Sequence, residues 1–225
     1  MEELIIQLND KELAVRLEAL KKLAEKIKQG EIPRPALGND VNNHIHTIYS
    51  FSPYSPTKAV WMAYMAGLST AGIMDHDSIS GAEEFIQAGK IIGLETTIGV
   101  ECRADVSKTA LNHRRINNPD QDSVAYVAIH GIPHTQIGRV KEFFKPYLAH
   151  RNIRNQKMTG KLNEILNPFG IMLDFDLDIV PLSMSHQGGS ITERHILFAV
   201  SQKIVEKFGK GAAVVEFLRN SLHIN

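Results

Sequence analysis

Near the amino terminus apolar positions recur every three or four residues, so that Leu13, Leu17, Leu20, Ala24 and Ile27 share one face of a helix. Asn9, with Glu12 three positions on, predicts the start, and Gly30, Pro33 and Pro35 predict the stop. Lys21, Lys22, Lys26 and Lys28 crowd the second half, where cations meet the negative end of the helix dipole. Residues 1–38 therefore read as a helical extension with a docking stripe and a solvated face, and no chemistry is assigned to them.

From residue 40 the pattern changes to short apolar runs separated by helical stretches. Residues 41–48, 70–74, 96–100 and 124–129 read as strands. Ser55-Pro56 opens a helix through Ala59, Val60, Met62, Ala63, Met65 and Ala66, in which Trp61, Met62 and Met65 pack on a sheet. Ser80 with Glu83 predicts a capping box for a helix through Phe85, Ile86 and Ile91, closed by Gly93. Residues 105–122 are polar, with Asn117-Asn118-Pro119 as a loop signal. Strands joined by helices or long crossovers argue for parallel pairing in an α/β layer or barrel. Beyond Pro133 the chain turns mostly helical: 137–150, 152–166, a helix opened by Ser190 and Glu193 that reaches Phe208, and a last one over 212–222. Leu173, Phe175, Leu177 and Ile179 alternate with Asp174, Asp176 and Asp178, the pattern of a half-exposed strand rather than of a cation site. Three units result: the extension 1–38, a motif-bearing region 39–134 and a mainly helical region 135–225, with no internal repeat.

Charge narrows the partners. Lys+Arg and Asp+Glu both number 25, so no global basic field exists to hold a long nucleic-acid track, while a small phosphorylated substrate or a nucleic-acid end could still be bound locally. The single cysteine, Cys102, permits no intrachain disulfide framework and fits a reducing cytosol; it reads as core packing. No apolar stretch approaches the roughly 18 residues of a membrane span, and the amino terminus lacks a signal-peptide pattern, so a cytoplasmic protein without membrane contact is expected.

Ten histidines are many for this length, and several fall where strands end. His44 and His46 are two apart in one strand and project to the same side, as two ligands of one transition metal must. The other strands end in or near Asp75-His76, Glu101 and His130, adding nitrogen and carboxylate donors for Zn²⁺, Mn²⁺ or Fe²⁺. Functional groups of parallel α/β folds gather at this end of the strands. Glu101 has two oxygens and could bridge two ions, an arrangement suited to phosphoester hydrolysis when the ions stand about 3.5–4 Å apart. His113, His134, His150 and His186 read as surface residues.

These motifs carry a resemblance. Asn43-His44-Ile45-His46-Thr47-Ile48-Tyr49-Ser50 resembles the first motif of the PHP (polymerase and histidinol phosphatase) family, and Gly72-Ile73-Met74-Asp75-His76-Asp77-Ser78-Ile79-Ser80-Gly81 its second. Gly99-Val100-Glu101 and Ala128-Ile129-His130-Gly131 are similar to its later Glu and His. The resemblance implies a distorted (β/α)7 TIM-like barrel, with the helical region inserted as in nucleotide- and RNA-cleaving members, and a site of two divalent ions with a third position that hydrolyses phosphoesters. It makes His44, His46 and Glu101 ligands of one ion, Glu101 and His130 ligands of a second, and His76 part of a third position. Asp75 becomes a ligand or, with His76, a proton-handling residue. The stretch Ile191-Thr192-Glu193-Arg194-His195-Ile196 would lie near the substrate, with Arg194 or His195 on a phosphate; the same two residues are also consistent with a plain first turn of a surface helix.

Two departures limit the transfer. The family commonly continues Ser-Asp-Gly after its first motif, whereas Ser50 is followed here by Phe51-Ser52, and phenylalanine cannot ligate. The late His and the Asp-x-His of the family have no counterpart in the chain, which is expected to be part of a longer protein, with an incomplete barrel, or a member that has lost part of its site. The expected activity is hydrolysis of a nucleotide, oligonucleotide end or small phosphomonoester by metal-activated water. Histidinol-phosphate hydrolysis is a second enzymatic reading, and a non-catalytic metal-binding module acting through partners is the alternative from another class.

Overall fold

The computed structural model describes residues 1–118 and 121–224; the expected loop at Asn117-Asn118-Pro119 therefore falls partly outside the described residues. Strands β1 (Val41–Ile45), β2 (Thr70–His76), β3 (Glu95–Asp105) and β4 (Val124–Ile129) form one sheet in that order. The result is a mixed α/β fold whose four-stranded sheet curls into a half-barrel. β1, β2 and β3 are parallel, connected by helices α3 (Pro56–Met65) and α4 (Ala82–Ile92), which pack on each other and on the sheet. Ser55 Oγ accepts from the Lys58 backbone N–H and Pro56 takes the first helical position, as its fixed φ allows. α4 starts instead on Gly81 without a side-chain cap, so the expected Ser80–Glu83 box does not form, while Gly93 closes it at φ 78.

The expectation that all four strands run parallel is corrected at β4. It runs antiparallel to β3, with Val100 opposite Ile129 and Asp105 opposite Val124. A parallel return needs a crossover, usually a helix, to carry the chain back. Here β3 continues to Asp105, and residues 106–123 form an irregular return lacking any helix among the described residues. The outer edge of β4 is covered at its middle: the Asn117 side chain accepts from the Tyr126 N–H and donates to the Tyr126 carbonyl, each at 2.8 Å.

The amino-terminal extension joins this core. Helix α2 (Leu13–Lys28), preceded by α1 (Glu2–Gln7), buries Leu17, Leu20, Leu23 and Ala24 against α3 and α4, while Leu13 stays exposed. Asn9 caps nothing; its amide bridges the Pro53 carbonyl and the Ser55 N–H. Arg16 is buried and grips Glu84 of α4 through two bonds, Nε to Oε1 at 2.8 Å and an Nη to Oε2 at 2.6 Å, while Thr57 of α3 donates twice to the same carboxylate.

The helical region holds a second apolar cluster built from Leu166, Ile171, Leu173, Ile179, Ile191, Ile196, Ala199, Ile204 and Phe217. Two expectations are corrected there. Residues 137–150 and 152–166 are one helix, α5 (Ile137–Leu166), with Pro146 inside it. The apolar pattern lapses between the two halves because the buried face turns polar: Arg151, Asn155 and Thr159, four apart, are all buried. Residues 171–180 are not a strand: 171–174 are irregular and Phe175–Ile179 form one π-helical turn, in which Asp174 accepts from the N–H groups of Asp176 and Leu177. Short side chains that bond their own backbone favour such turns over a ladder. α6 (Glu193–Phe208) is capped two residues later than expected, the His195 imidazole taking the Thr192 N–H, and α7 (Ala212–Glu216) follows. Among the described residues no helix is long and apolar enough to cross a membrane.

Candidate metal centre

β2 and β3 align His76 directly with Glu101. Residues paired across adjacent strands project from the same face, and consecutive residues from opposite faces. His76 and Glu101 therefore meet on one side of the sheet, and Asp75 and Cys102 turn to the other. β1 brings His44 to the same side and the turn after it brings His46, although one extra residue between Asn42 and Ile45 bulges the strand. Three imidazoles converge on one carboxylate oxygen: Glu101 Oε2 lies 3.1 Å from His44 Nε2, 3.5 Å from His46 Nε2 and 3.5 Å from His76 Nδ1. His46 and His76 stack at 4.6 Å between ring centroids.

The donor set fits a divalent ion. Ligands about 2.0–2.1 Å from a tetrahedral ion stand about 3.3–3.4 Å from one another, close to the 3.1–3.5 Å that Glu101 Oε2 keeps from the imidazoles. His44, His46 and Glu101 each offer an atom within 4.8 Å of the other two. Metal ligands must be unprotonated. Burial, reinforced by the neighbouring His76, lowers His46 to a pKa of about 4, and burial also lowers His76.

Asp75 is buried behind this cluster, with its carboxylate fully engaged: it accepts from the Thr47 N–H at 2.7 Å, Thr47 Oγ1 at 2.6 Å and Ser50 Oγ at 2.5 Å. Burial pushes it up to about 6 against the pull of those three donors. Ser50 Oγ also lies 3.5 Å from His46 Nδ1, so Asp75 reaches the cluster only through the turn that carries His46. His130 follows β4, exposed, with its ring centroid 6.4 Å from that of His44; it stands beside the tight group rather than in it. Phe51 occupies the left-handed region at φ 74, unusual for a bulky residue, and packs its ring on His195 at 4.8 Å.

Arg194 and His195 part company. A pocket of about 310 Å³ is lined by His76, Glu101, Tyr126, Arg151, Thr192, Glu193 and Arg194. Arg194 is exposed there and makes no ion pair among the described residues. His195 is buried on the other side, where its Nδ1 accepts the Thr192 N–H at 2.9 Å and its proton is thereby placed on Nε2. Burial lowers its pKa to about 4.

Sequence reasoning missed Arg151, which lines this pocket, and the two further arginines that bond Glu193. Arg151 donates from Nε to Asp77 at 2.7 Å and reaches Glu193 at 3.4 Å; Arg103 bonds Tyr126 at 2.8 Å and Glu193 at 3.1 Å; Arg154 also bonds Glu193. The available signal was Arg151 and Arg154, one turn apart on a helix whose apolar stripe lapses there.

No family profile matches the chain. A stretch of 58 residues, 26% of the chain and 21% of the relative's length, is 40% identical to a 5'-3' exoribonuclease of Haemophilus influenzae. Among solved structures the chain is similar to a protein of Bifidobacterium adolescentis described as a candidate metal-dependent phosphoesterase, at a TM-score of 0.52 and 22% identity, covering 82% of this chain and 55% of that one. It is also similar to an amidohydrolase of Chromobacterium violaceum solved with bound sulfate and no metal, at a TM-score of 0.52 and 16% identity, covering 79% and 53%. At these identities the structural likeness establishes the fold, and the chain spans about a fifth of the curated relative and about half of each solved neighbour.

Proposed function

We propose that this chain is a metal-dependent hydrolase of phosphoesters, its four strands being the first half of a (β/α)7 barrel of the polymerase-and-histidinol-phosphatase type. The observation that carries this reading is the convergence of three imidazoles on Glu101 Oε2 beside an arginine-walled pocket. His44, His46 and Glu101 would hold one ion, manganese, zinc or iron, Glu101 with His130 would serve a second position, and His76 a third. A divalent ion in such a donor set supplies Lewis-acid polarisation of a phosphoryl oxygen and makes water more acidic. Arg194 contributes a free guanidinium to orient the phosphoryl group. His76, kept neutral by burial, presents Nδ1 to the site as a ligand or as the acceptor of the proton that water loses. Asp75 steadies Thr47 and Ser50, and so holds His46 in place. A nucleotide, an oligonucleotide end or a small phosphomonoester is the substrate that balanced net charge and the short exoribonuclease likeness favour.

The exposed position of His130 outside the tight group supports a second reading, a metal-binding module without turnover. Metal analysis together with Mn²⁺-dependent hydrolysis of a panel of chromogenic phosphoesters separates the two. The hydrolase reading expects stoichiometric metal, and activity reduced about 100-fold or more in His44→Ala and His46→Ala, a larger loss than removing groups that merely support a ligand. Activity unchanged in both variants refutes the site, and bound metal without turnover on any phosphoester establishes the module.

A further inference from the structure

The Glu193 carboxylate sits where three guanidinium groups from two separate elements meet. Arg103 reaches it from β3 at 3.1 Å, Arg151 from α5 at 3.4 Å, and Arg154 from the next turn of α5. With Arg194 alongside, four arginines stand near three carboxylates, of which Asp77 is committed to Arg151 at 2.6 Å and Glu101 to the histidine cluster. The cluster is therefore over-supplied with cation around one half-buried acid. Its donors are also incompletely used: Arg154 Nε is buried and has no hydrogen-bond partner among the described residues. The two groups aimed at Glu193 from β3 and α5 are braced from behind, Arg103 by the Tyr126 hydroxyl at 2.8 Å and Arg151 by Asp77, so removing the carboxylate would leave their geometry standing. Glu193 itself lines the pocket that opens onto His76 and Glu101.

Guanidinium forks bind phosphate and carboxylate oxygens in the same way, and a dianionic phosphate satisfies more donors than one carboxylate. We propose that Arg103, Arg151 and Arg154 form an oxyanion seat for a phosphate group, and that Glu193 is its resident occupant, displaced when the phosphate enters. Glu193 can leave without any backbone movement, because it is partly exposed and swings on its side chain, and the incoming phosphate takes over the ion pairs it gives up. The seat opens onto the same pocket as His76 and Glu101, but its donors are arginines and none of them belongs to the His44–His46–Glu101 group. The assignment deepens the phosphoesterase reading and rests on it for the identity of the ligand, while the binding itself requires no metal.

Inorganic phosphate is the probe, titrated calorimetrically into the full chain with a chelator present, so that neither metal nor turnover enters. Glu193→Gln keeps the side chain's shape and removes the competing charge; its phosphate affinity is expected to rise about tenfold, the equivalent of about 1.4 kcal/mol. Arg103→Gln and Arg154→Gln are expected to lower it by a similar factor. Affinity unchanged or weakened in Glu193→Gln, binding indifferent to both arginine variants, or no phosphate binding by wild type and Glu193→Gln alike overturns the seat. Should a variant fold poorly, the wild-type chain still decides: its melting temperature is expected to rise already in a few millimolar phosphate, too dilute for the general stabilising effect of an excluded salt, relative to chloride at equal ionic strength, and no rise there counts against the seat. Hydrolysis is read separately with Mn²⁺ and phosphoesters, so loss of either reading leaves the other measurable.

Discussion

His195 is a helix cap made from a residue that usually titrates near neutrality. Its Nδ1 holds the Thr192 N–H and its ring is buried against Phe51, so the folded chain keeps it neutral down to a pKa of about 4. The unfolded chain binds that proton near pH 6.5. Between these values, as pH falls, the unfolded state gains a proton the folded state refuses, so the full stability present above about pH 6.5 is lost down to about pH 4. The loss attributable to this one ring is about 3 kcal/mol. His195→Gln, whose amide oxygen can take the same N–H, is expected to flatten that part of the curve in urea unfolding followed across pH; an unchanged slope would show that the imidazole is not held neutral. At the same scale, Asp75 and His76 show what could have been read in advance. Consecutive strand residues face opposite ways, so once His76 faces Glu101, Asp75 must point into the packing behind it. That alternation was legible in the sequence. The partners Thr47 and Ser50 were not, because they lie in a turn whose path no periodicity describes.

At the scale of elements, α2, α3 and α4 are clasped by one buried ion pair. Arg16 uses all its reach: two bonds to Glu84 and one each to the carbonyls of Asp10 and Lys11, at 2.7 and 3.0 Å. Removing one partner of such a pair strands the other charge in the interior. Arg16→Met is expected to destabilise the chain by about 3–5 kcal/mol in denaturant unfolding, whereas the exposed Lys21–Glu18 pair should contribute less than about 1 kcal/mol when either is replaced. A loss below about 1 kcal/mol for Arg16→Met would show that the helices are held by apolar packing alone. The helical spacing of Leu17, Leu20 and Ala24 revealed the stripe, but Arg16 reads as one more solvated charge until Glu84, 68 positions away, is seen beside it. The same limit hid the continuity of α5, whose buried side at Arg151, Asn155 and Thr159 is polar and satisfied by Asp77, the Ile191 carbonyl and the helix itself. The direction of β4 was hidden because its connection, rather than its own residues, decides it.

Taken whole, the molecule has two apolar clusters, one around the sheet with α1 to α4 and one around the later helices. α5 belongs to both: Ile137 and Phe144 lie in the first, Leu166 in the second, and the polar stripe falls between. Where apolar burial is interrupted, cooperative unfolding tends to divide. Amides of α6 are expected to exchange through a partial opening while β2 and β3 exchange only on global unfolding, as native-state hydrogen exchange at rising denaturant would register. A single shared opening free energy for α6 and β2 would show that the polar stripe couples the clusters fully.

The Asn117 side chain has a consequence for how this molecule lives beside others. An edge strand with free N–H and carbonyl groups is a template on which a neighbouring chain can add itself, and such additions propagate into fibres. By offering Tyr126 both an acceptor and a donor, a single amide imitates one residue of an absent strand. Any polypeptide seeking to extend the sheet past β4 must first evict it, so this rim of the half-barrel resists growth by recruitment of its own kind.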